Sequence, residues 1–282
     1  MRKLSRSLHW TLAIACFASV LNAQSLKPDE IVAKHIESIG KKEARDGIKT
    51  LMAVGQSEFV SLVPAIKGGG RAVVVSDPSN LYFILSLNSK EYPFEKIGYF
   101  DGKPSLPFAT AGTRSLLGSF LSEHDKILSS GLFNGIMSRR WPLLNLEKAR
   151  PVITSGGTKK FDGRKIYALN YFPSGDGSSE FTIRLYFDAE TFHHVRTEYR
   201  RQIPPKTPGF GVANQIAYST LVLTESFSDF RLIDGVTLPH IYRVEFVSNS
   251  NNSTYQSAWG IKVGRYVFNQ KLTPDFFTFD TK

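Results

Sequence analysis

Glu180–Asp188 has the sequence EFTIRLYFD, and its alternation decides the fold class. Apolar side chains occupy every second position: Phe181, Ile183, Leu185 and Phe187. The positions between them carry Thr182, Arg184 and Tyr186. Successive side chains of a strand point to opposite faces of a sheet, so this period predicts a β-strand with one buried face.

A period of two recurs along most of the chain. Further strands are predicted at Leu51–Leu62, Ala72–Ser76, Leu81–Leu87, Ile97–Phe100, Val195–Tyr199, Leu221–Phe230, Val236–Val247 and Tyr255–Phe268. The triplet Gly68–Gly70 is expected in the connection before Ala72, and the pairs Asp101-Gly102, Asp162-Gly163 and Asp234-Gly235 are expected in tight hairpin turns. Because most of these strands follow one another without intervening helices, they predict an antiparallel meander.

Two segments have the helical period instead. The first begins at Pro28 and ends at Gly40, with one apolar side formed by Ile31, Val32, His35, Ile36 and Ile39. The second spans residues 113–141 and is predicted as two or three short helical pieces interrupted by Gly118, Gly131 and Gly135. Short apolar helices inside a sheet protein are expected to cover one face of the sheet, and glycines would allow them to shift.

The N-terminus has the pattern of a secretory signal peptide. Three basic residues, Arg2, Lys3 and Arg6, precede the apolar run 8–21, and Ala23 is a small residue at the expected cleavage site. The prediction is a signal peptide at residues 1–23 and a single β domain at residues 24–282, exported to the periplasm. The alternative is a lipoprotein anchored through Cys16, the only cysteine of the chain.

The composition bears on the class of partner. The formal net charge is +10, which falls to +7 when three basic signal residues are removed. Export argues against nucleic acid as a partner. A basic surface suits peripheral contact with anionic lipid headgroups, but the positive residues are scattered, which favours a solvated face that keeps the protein in solution.

Motifs for catalysis or metal binding are missing from the sequence. It contains no HExxH, GxSxG or CxxC pattern, so we expect no enzyme activity, no cofactor and no metal site. Adjacent strand residues face opposite ways, so His193 and His194 cannot readily bind one metal ion together. The pair is interpreted as part of a surface turn. Glu225 interrupts an apolar series, which indicates either a strand end or bulge, or a buried acid.

Four stretches together resemble the LolA-like family of outer-membrane lipoprotein-sorting carriers. They are LKPDEIVAKHIESIG at 26–40, SLLGSFL at 115–121, RLYFDAETFHHVRTEY at 184–199 and DFRLIDGVTLPHIYRVEF at 229–246. The chain departs from that pattern around residues 130–160 and 204–211. The resemblance implies an unclosed antiparallel β half-barrel, with short helices that cap an apolar concavity for acyl chains, and no shared catalytic residues.

The predicted ligand site combines the strand at 81–87 with the helical segment. Its residues are Phe83, Leu85, Leu116, Leu117, Phe120, Leu121, Phe133, Ile136 and Met137. The strand at 81–87 is apolar on nearly both faces and therefore needs two covers. One candidate is the N-terminal helix, and the other is either the helices at Leu116–Met137 or a ligand between.

Three functions are compatible with this pattern. The first is a non-enzymatic periplasmic carrier that holds a lipid or lipoprotein acyl chain, with envelope proteins as further partners. The second is a structural or sensory envelope protein whose interior is filled by side chains. The third, an enzyme, would require a polar cluster under the helices, such as an acid near Glu225 together with a histidine.

Processing of the N-terminus gives the first testable prediction. Protein recovered from the cell envelope should begin at Gln24, and its intact mass should correspond to residues 24–282. A diacylglyceryl-modified species that begins at Cys16 would contradict cleavage after Ala23 and would establish the lipoprotein alternative.

Overall fold

The computed structural model describes residues 26–63, 65–174, 181–203, 219–250 and 253–279. The predicted signal peptide with Cys16 and the cleavage site after Ala23 lies outside these residues, as does the segment 204–211. Within the described ranges, no helix reaches the length and hydropathy needed to cross a bilayer.

The chain forms twelve strands and five α-helices in the described ranges. The strands are β1 (Leu51–Ser61), β2 (Ile66–Ser76), β3 (Leu81–Ser86), β4 (Phe94–Phe100), β5 (Lys103–Ser105), β6 (Val152–Phe161), β7 (Arg164–Phe172), β8 (Phe181–Asp188), β9 (His194–Ile203), β10 (Ser219–Ile233), β11 (Val236–Ser250) and β12 (Ser253–Phe268). The helices are α1 (Pro28–Ile39), α2 (Lys42–Gly47), α3 (Leu116–Glu123), α4 (Lys126–Ser129) and α5 (Leu146–Ala149). Short 3₁₀ turns lie at Gly135–Met137, Pro142–Asn145 and Pro274–Phe277.

All twelve strands belong to one antiparallel sheet. Their order is β5-β4-β3-β2-β1-β12-β11-β10-β9-β8-β7-β6. The sheet therefore consists of two meanders that join where β1 pairs with β12, and its outer strands β5 and β6 are not paired with each other. This arrangement confirms the predicted mainly β fold with an unclosed half-barrel.

A contact across the inner face shows how strongly the sheet is curved. The rings of Phe83 on β3 and Tyr242 on β11 are 6.5 Å apart, although these strands are four positions apart in the sheet. In a flat sheet that separation would be about 19 Å, because neighbouring strands are about 4.8 Å apart. The inner face is therefore concave.

The concave face carries the main core of the protein. The predicted alternation in β8 is confirmed: Phe181, Ile183, Leu185 and Phe187 are all buried. On β11, alternate residues His240, Tyr242, Val244 and Phe246 are buried as well. Among the described residues, the convex face carries smaller apolar groups, one of them formed by Ile166, Ala168 and Tyr186.

Hairpin turns were predicted correctly at the Asp-Gly pairs. Both residues of each pair have positive φ, for example 49° at Asp101 and 76° at Gly102. The prediction for Gly68–Gly70 was wrong, because these residues lie inside β2. A Cβ atom at Gly68 would approach the Leu87 carbonyl oxygen to 2.4 Å, so the lack of a side chain is what lets the chain at Ser86–Leu87 lie against this strand.

The N-terminal helix occupies the concave side of the sheet. Its residues Ile31, Val32, His35 and Ile39 are buried, as predicted, and His35 contacts the ring of Phe187 at 4.9 Å. The N-terminal helix was one candidate to cover the outer face of the strand at 81–87, but it does not lie there. That face is covered instead by the C-terminal segment, where Phe276 and Phe279 pack on Tyr82 at 5.2 and 4.7 Å.

The predicted helical insert connects the two outer edges of the sheet. It leaves β5 at one edge, passes over the concave face and reaches β6 at the other edge. We call residues 115–149 the lid. The lid consists of short pieces, as predicted, and extends eight residues beyond the predicted end at Trp141, through the turn Pro142–Asn145 and α5.

The burial pattern of β8 gives the second prediction. Leu185→Asp should lower the free energy of unfolding by about 3–5 kcal/mol, because it places an unpaired charge in a fully buried position. Chemical denaturation followed by circular dichroism measures this change. The control Thr182→Asp lies on the same strand with its side chain exposed and should shift stability by less than about 1 kcal/mol. Equal effects of the two substitutions would contradict this assignment of faces.

Candidate functional site

The predicted site residues come together beneath the lid. Phe83, Leu85, Leu117, Phe120, Leu121, Phe133, Ile136 and Met137 are all less than 5% exposed and belong to one core cluster. The ring of Phe133 lies 5.5 Å from that of Phe83, and the ring of Phe120 lies 5.5 Å from that of Phe246. The space around these residues is thus filled by side chains in this structure.

Leu116 is the exception among the predicted residues. It is 45% exposed and lies beside an open groove of about 280 Å³ between α3 and strands β10–β12. We call this the α3 groove. Its lining is Leu116, Ser119, Phe120, Glu123, Leu221, Phe246, Ser248 and Tyr255. Phe120 and Phe246 belong both to this lining and to the core, so the groove adjoins the buried interior.

Three buried hydrogen-bond networks attach the lid to the sheet and to α1. The first is centred on Glu95 of β4, which is 3% exposed. Ser115, the N-cap of α3, donates its hydroxyl to Glu95 Oε1 at 2.9 Å. Tyr92 donates to Glu95 Oε2 and itself accepts from Trp259 Nε1 at 2.9 Å. Burial raises the pKa of Glu95 to about 7, although the hydrogen bonds from Tyr92 and Ser115 oppose that shift.

The second network is centred on Glu225 of β10. Its carboxylate accepts the backbone N–H of Asn134 at 2.7 Å, the Tyr199 hydroxyl at 2.7 Å and the Tyr242 hydroxyl at 2.6 Å. Of the two interpretations of the sequence, the buried acid is correct, since Glu225 pairs in regular register with Val244 and Thr197. Burial raises the pKa of Glu225 to about 7.

The third network joins the lid to α1. Trp141 Nε1 donates to His35 Nε2 at 3.1 Å. Because Nε2 accepts this bond, the other ring nitrogen, Nδ1, carries the proton and donates to the Phe192 carbonyl at 3.1 Å. Burial lowers the pKa of His35 to about 3, so the ring is neutral at physiological pH.

His194 is a buried residue and not part of a surface turn, so that interpretation was wrong. It lies at the start of β9, is fully buried and stacks on Trp141 at 4.6 Å. His193 does face the opposite way, where it stacks on Phe230 at 4.3 Å. The sequence did not reveal this burial because the partners of His194 come from α1 and the lid.

A polar cluster of the kind that an enzyme would need does lie beneath the lid. His194 Nε2 is 2.9 Å from the Thr197 hydroxyl, and Thr197 pairs with Glu225 on the neighbouring strand. His194, Thr197 and Glu225 are each 0% exposed, and none of them lines the α3 groove. A nucleophile and its base must reach substrate, and these three side chains are closed off from solvent in this structure.

The turn around Asn134 brings the lid very close to the sheet. Asn134 has a φ of 69° and its buried side-chain amide makes no hydrogen bond within the described part of the chain. At Gly135 a Cβ atom would lie 2.8 Å from the Phe227 ring and 3.1 Å from His194 Nδ1, so only glycine fits there. In the residues that the structure describes, no group of three or more His, Cys, Asp or Glu side chains could hold a metal ion.

No protein-family model matches the chain, and no curated protein sequence is similar to it. Solved structures with a related arrangement include a LolA superfamily protein from Nitrosomonas europaea, which is 13% identical, with 91% of this chain and 99% of that chain covered and a TM-score of 0.46. A domain assigned to outer membrane lipoprotein-sorting proteins, from Vibrio parahaemolyticus, is 13% identical over 89% and 97% of the two chains, with a TM-score of 0.44. A DUF1329 family protein from Desulfovibrio piger is 12% identical over 89% and 97%, with a TM-score of 0.42.

Two of these structures, from Nitrosomonas europaea and Vibrio parahaemolyticus, are described as LolA superfamily or lipoprotein-sorting proteins, the family that the four sequence stretches resemble. Identities of 12–13% and TM-scores of 0.42–0.46 carry no inference about what this chain binds.

Titration of Glu225 gives the third prediction. Its pKa of about 7 in the folded protein is above the ordinary value of 4.5, so its contribution to stability is full below pH 4.5 and is lost as the pH rises through 7. Between pH 5 and 8, the unfolding free energy of Glu225→Gln should therefore rise by about 2–3 kcal/mol relative to wild type.

Denaturant titrations of both proteins at several pH values measure this slope. The slope is the readout because the offset at any single pH also contains the altered hydrogen bonds to Tyr199, Tyr242 and Asn134. The control is Glu147→Gln, on the exposed surface of α5, which should keep a constant offset from wild type. A pH-independent offset for Glu225→Gln would refute a carboxyl that titrates near neutrality.

Proposed function

We propose that this protein is a non-enzymatic binding protein of the periplasm that holds an acyl chain of a lipid or lipoprotein. The proposed site begins in the α3 groove and continues beneath the lid. Its residues are Leu116, Leu117, Phe120, Leu121, Phe133, Ile136 and Met137 of the lid with Phe83 and Leu85 of β3.

The observation that carries this proposal is the position of the α3 groove. Its walls are mainly apolar, it is open to solvent, and Phe120 separates it from the interior. Each methylene removed from water contributes about 0.8 kcal/mol, so six methylenes in such a groove would contribute about 5 kcal/mol to binding. Its volume is at the lower end of ligand sites, which suits one segment of a chain.

A longer acyl segment would require the lid to move. The interior is filled in this structure, so additional methylenes would have to replace contacts such as that between Phe120 and Phe246. Two properties of the lid favour such a movement. It consists of short pieces without a continuous helix, and its interior side includes Leu and Met side chains, which repack around differently shaped ligands.

Several observations support a binding function over catalysis. The Glu225 carboxylate beneath the lid is hydrogen-bonded to Tyr199 and Tyr242, and His194 Nε2 to Thr197. The lining of the α3 groove offers only Ser119, Glu123 and Ser248 as reactive side chains beside the Tyr255 hydroxyl. Location in the periplasm rests on the predicted signal peptide, and envelope proteins remain the proposed partners for delivery or receipt of the ligand.

The filled interior favours a second candidate function. In this case the lid and the sheet form one permanent core, and the protein serves as a structural or sensory component of the envelope. The two functions differ in a measurable way, because only the carrier has saturable affinity for an acyl chain.

The fourth prediction distinguishes them with two surface variants. A fluorescent fatty-acid probe should bind wild-type protein saturably, and Leu116→Asp should weaken that binding about tenfold or more, because a charge at the groove opposes an apolar ligand. Leu116 is 45% exposed, so the substitution should leave the fold intact, as circular dichroism can verify. Lipids that co-purify under mild conditions can be identified by mass spectrometry.

The matched control is Leu232→Asp, on an exposed leucine of β10 that is not part of the groove. It should bind the probe like wild type. Absence of both co-purifying lipid and saturable probe binding in folded wild-type protein would exclude the carrier function and leave the structural one.

A further inference from the structure

A second and larger groove lies at the open side of the half-barrel. Its volume is about 570 Å³, and its lining includes Tyr99 from β4 and Tyr171 from β7. These strands are second and eleventh in the order of the twelve-stranded sheet, so the groove spans the gap between its two ends. The floor between them is formed by the lid, from Lys126 to Ala149.

The charge of this groove has one sign. Lys126, Arg139, Arg140 and Lys148 line it, and the lining contains no Asp or Glu. Among the residues that the structure describes, none of these four cations lies within 4.0 Å of a carboxylate oxygen. Elsewhere on the protein, arginines such as Arg164, Arg201 and Arg231 do have such partners.

Neither of the two arginines has a counterion among the residues that the structure describes. The Arg140 guanidinium lies 3.7 Å from the centre of the Tyr99 ring and donates Nη2 to the Ser129 carbonyl at 3.3 Å. Nε of Arg139 is buried and has no hydrogen-bond partner in the described ranges. Burial lowers the pKa of Arg139, and it lowers that of Arg140 to about 10, which reflects the unfavourable desolvation of both charges.

The two carboxylates that act electrostatically on these arginines, Asp77 and Asp46, are engaged with other groups. Asp77 accepts the backbone N–H groups of Ser79 and Asn80, each at 2.7 Å. Asp46 is paired with Lys42. The groove therefore combines two partly desolvated guanidinium groups, two flexible ammonium groups and the hydroxyl-bearing residues Ser129 and Ser130, a set of donors that suits an oxyanion with several acceptor oxygens.

We propose that the groove lined by Lys126, Arg139, Arg140 and Lys148 is a binding site for a phosphate group, presented either as a phospholipid headgroup or as free phosphate. This site is separate from the α3 groove and does not depend on acyl binding there. A phosphate in the groove would provide the negative charge that these arginines lack within the protein.

The fifth prediction tests the site with a double charge reversal. Isothermal titration calorimetry should detect binding of inorganic phosphate to the wild-type protein, or the protein should sediment with vesicles of phosphatidylglycerol but not with vesicles of phosphatidylcholine. Lys126→Glu with Lys148→Glu should weaken whichever binding is present about tenfold or more, because two attractive charges become repulsive. Both lysines are exposed, so the variant should fold.

The matched control is Lys159→Glu with Lys160→Glu on the exposed surface of β6, which makes the same change in net charge. It should bind like wild type. Binding of inorganic phosphate identifies free phosphate as sufficient, whereas binding to phosphatidylglycerol vesicles alone identifies the headgroup.

Two results would overturn the proposal. One is absence of both kinds of binding in wild type, and the other is an equal loss in the two double variants, which would indicate attraction to the overall charge. Binding of the fatty-acid probe should be unaffected by Lys126→Glu with Lys148→Glu. That readout separates failure of this site from failure of the α3 groove.

Discussion

The backbone pairing between β1 and β12 is the constraint on which the rest of the structure depends. Leu51–Ser61 pairs with Ser257–Phe268 in the middle of the sheet, so the two meanders become one surface with β5 and β6 at its outer edges. The chain that joins those edges has only one short route, across the concave face. That pairing therefore sets the course of the lid from one edge of the sheet to the other, and both grooves lie beside the lid.

The lid is attached by polar groups as well as by apolar packing. Glu95, Glu225 and His35 each hold one segment of it through buried hydrogen bonds. Such bonds have strict geometry, and a buried group that loses its partner is penalised, so they favour one closed arrangement over many loosely packed ones. Apolar contacts alone would let the short pieces slide over the sheet. These bonds explain how a cover made of short pieces can be well defined.

Local patterns in the sequence were sufficient for most of the strands, the N-terminal helix and the composition of the lid, but the bounds of β5, β6 and β7 were not predicted. The alternation in β8 and the Asp-Gly turns depend on neighbouring residues only, and both predictions were confirmed. Errors arose where a residue's surroundings come from distant parts of the chain. Gly68 lies in β2 because it pairs with Phe59 of β1, and His194 is buried because Trp141 covers it. The predicted site residues were brought together, but the basic groove was missed, since Arg139 and Lys126 form no motif in the sequence.

The junction of β1 with β12 also affects how the chain can fold. Leu51 and Phe268 are partners although more than two hundred residues separate them, so a large loop must close before the junction can form. During synthesis, the first meander is completed long before β12 exists, and the β1 edge then presents unpaired backbone groups of eleven residues. An exposed edge of that length readily pairs with another chain. The newly made protein therefore depends on being kept apart from its copies until its last long strand arrives.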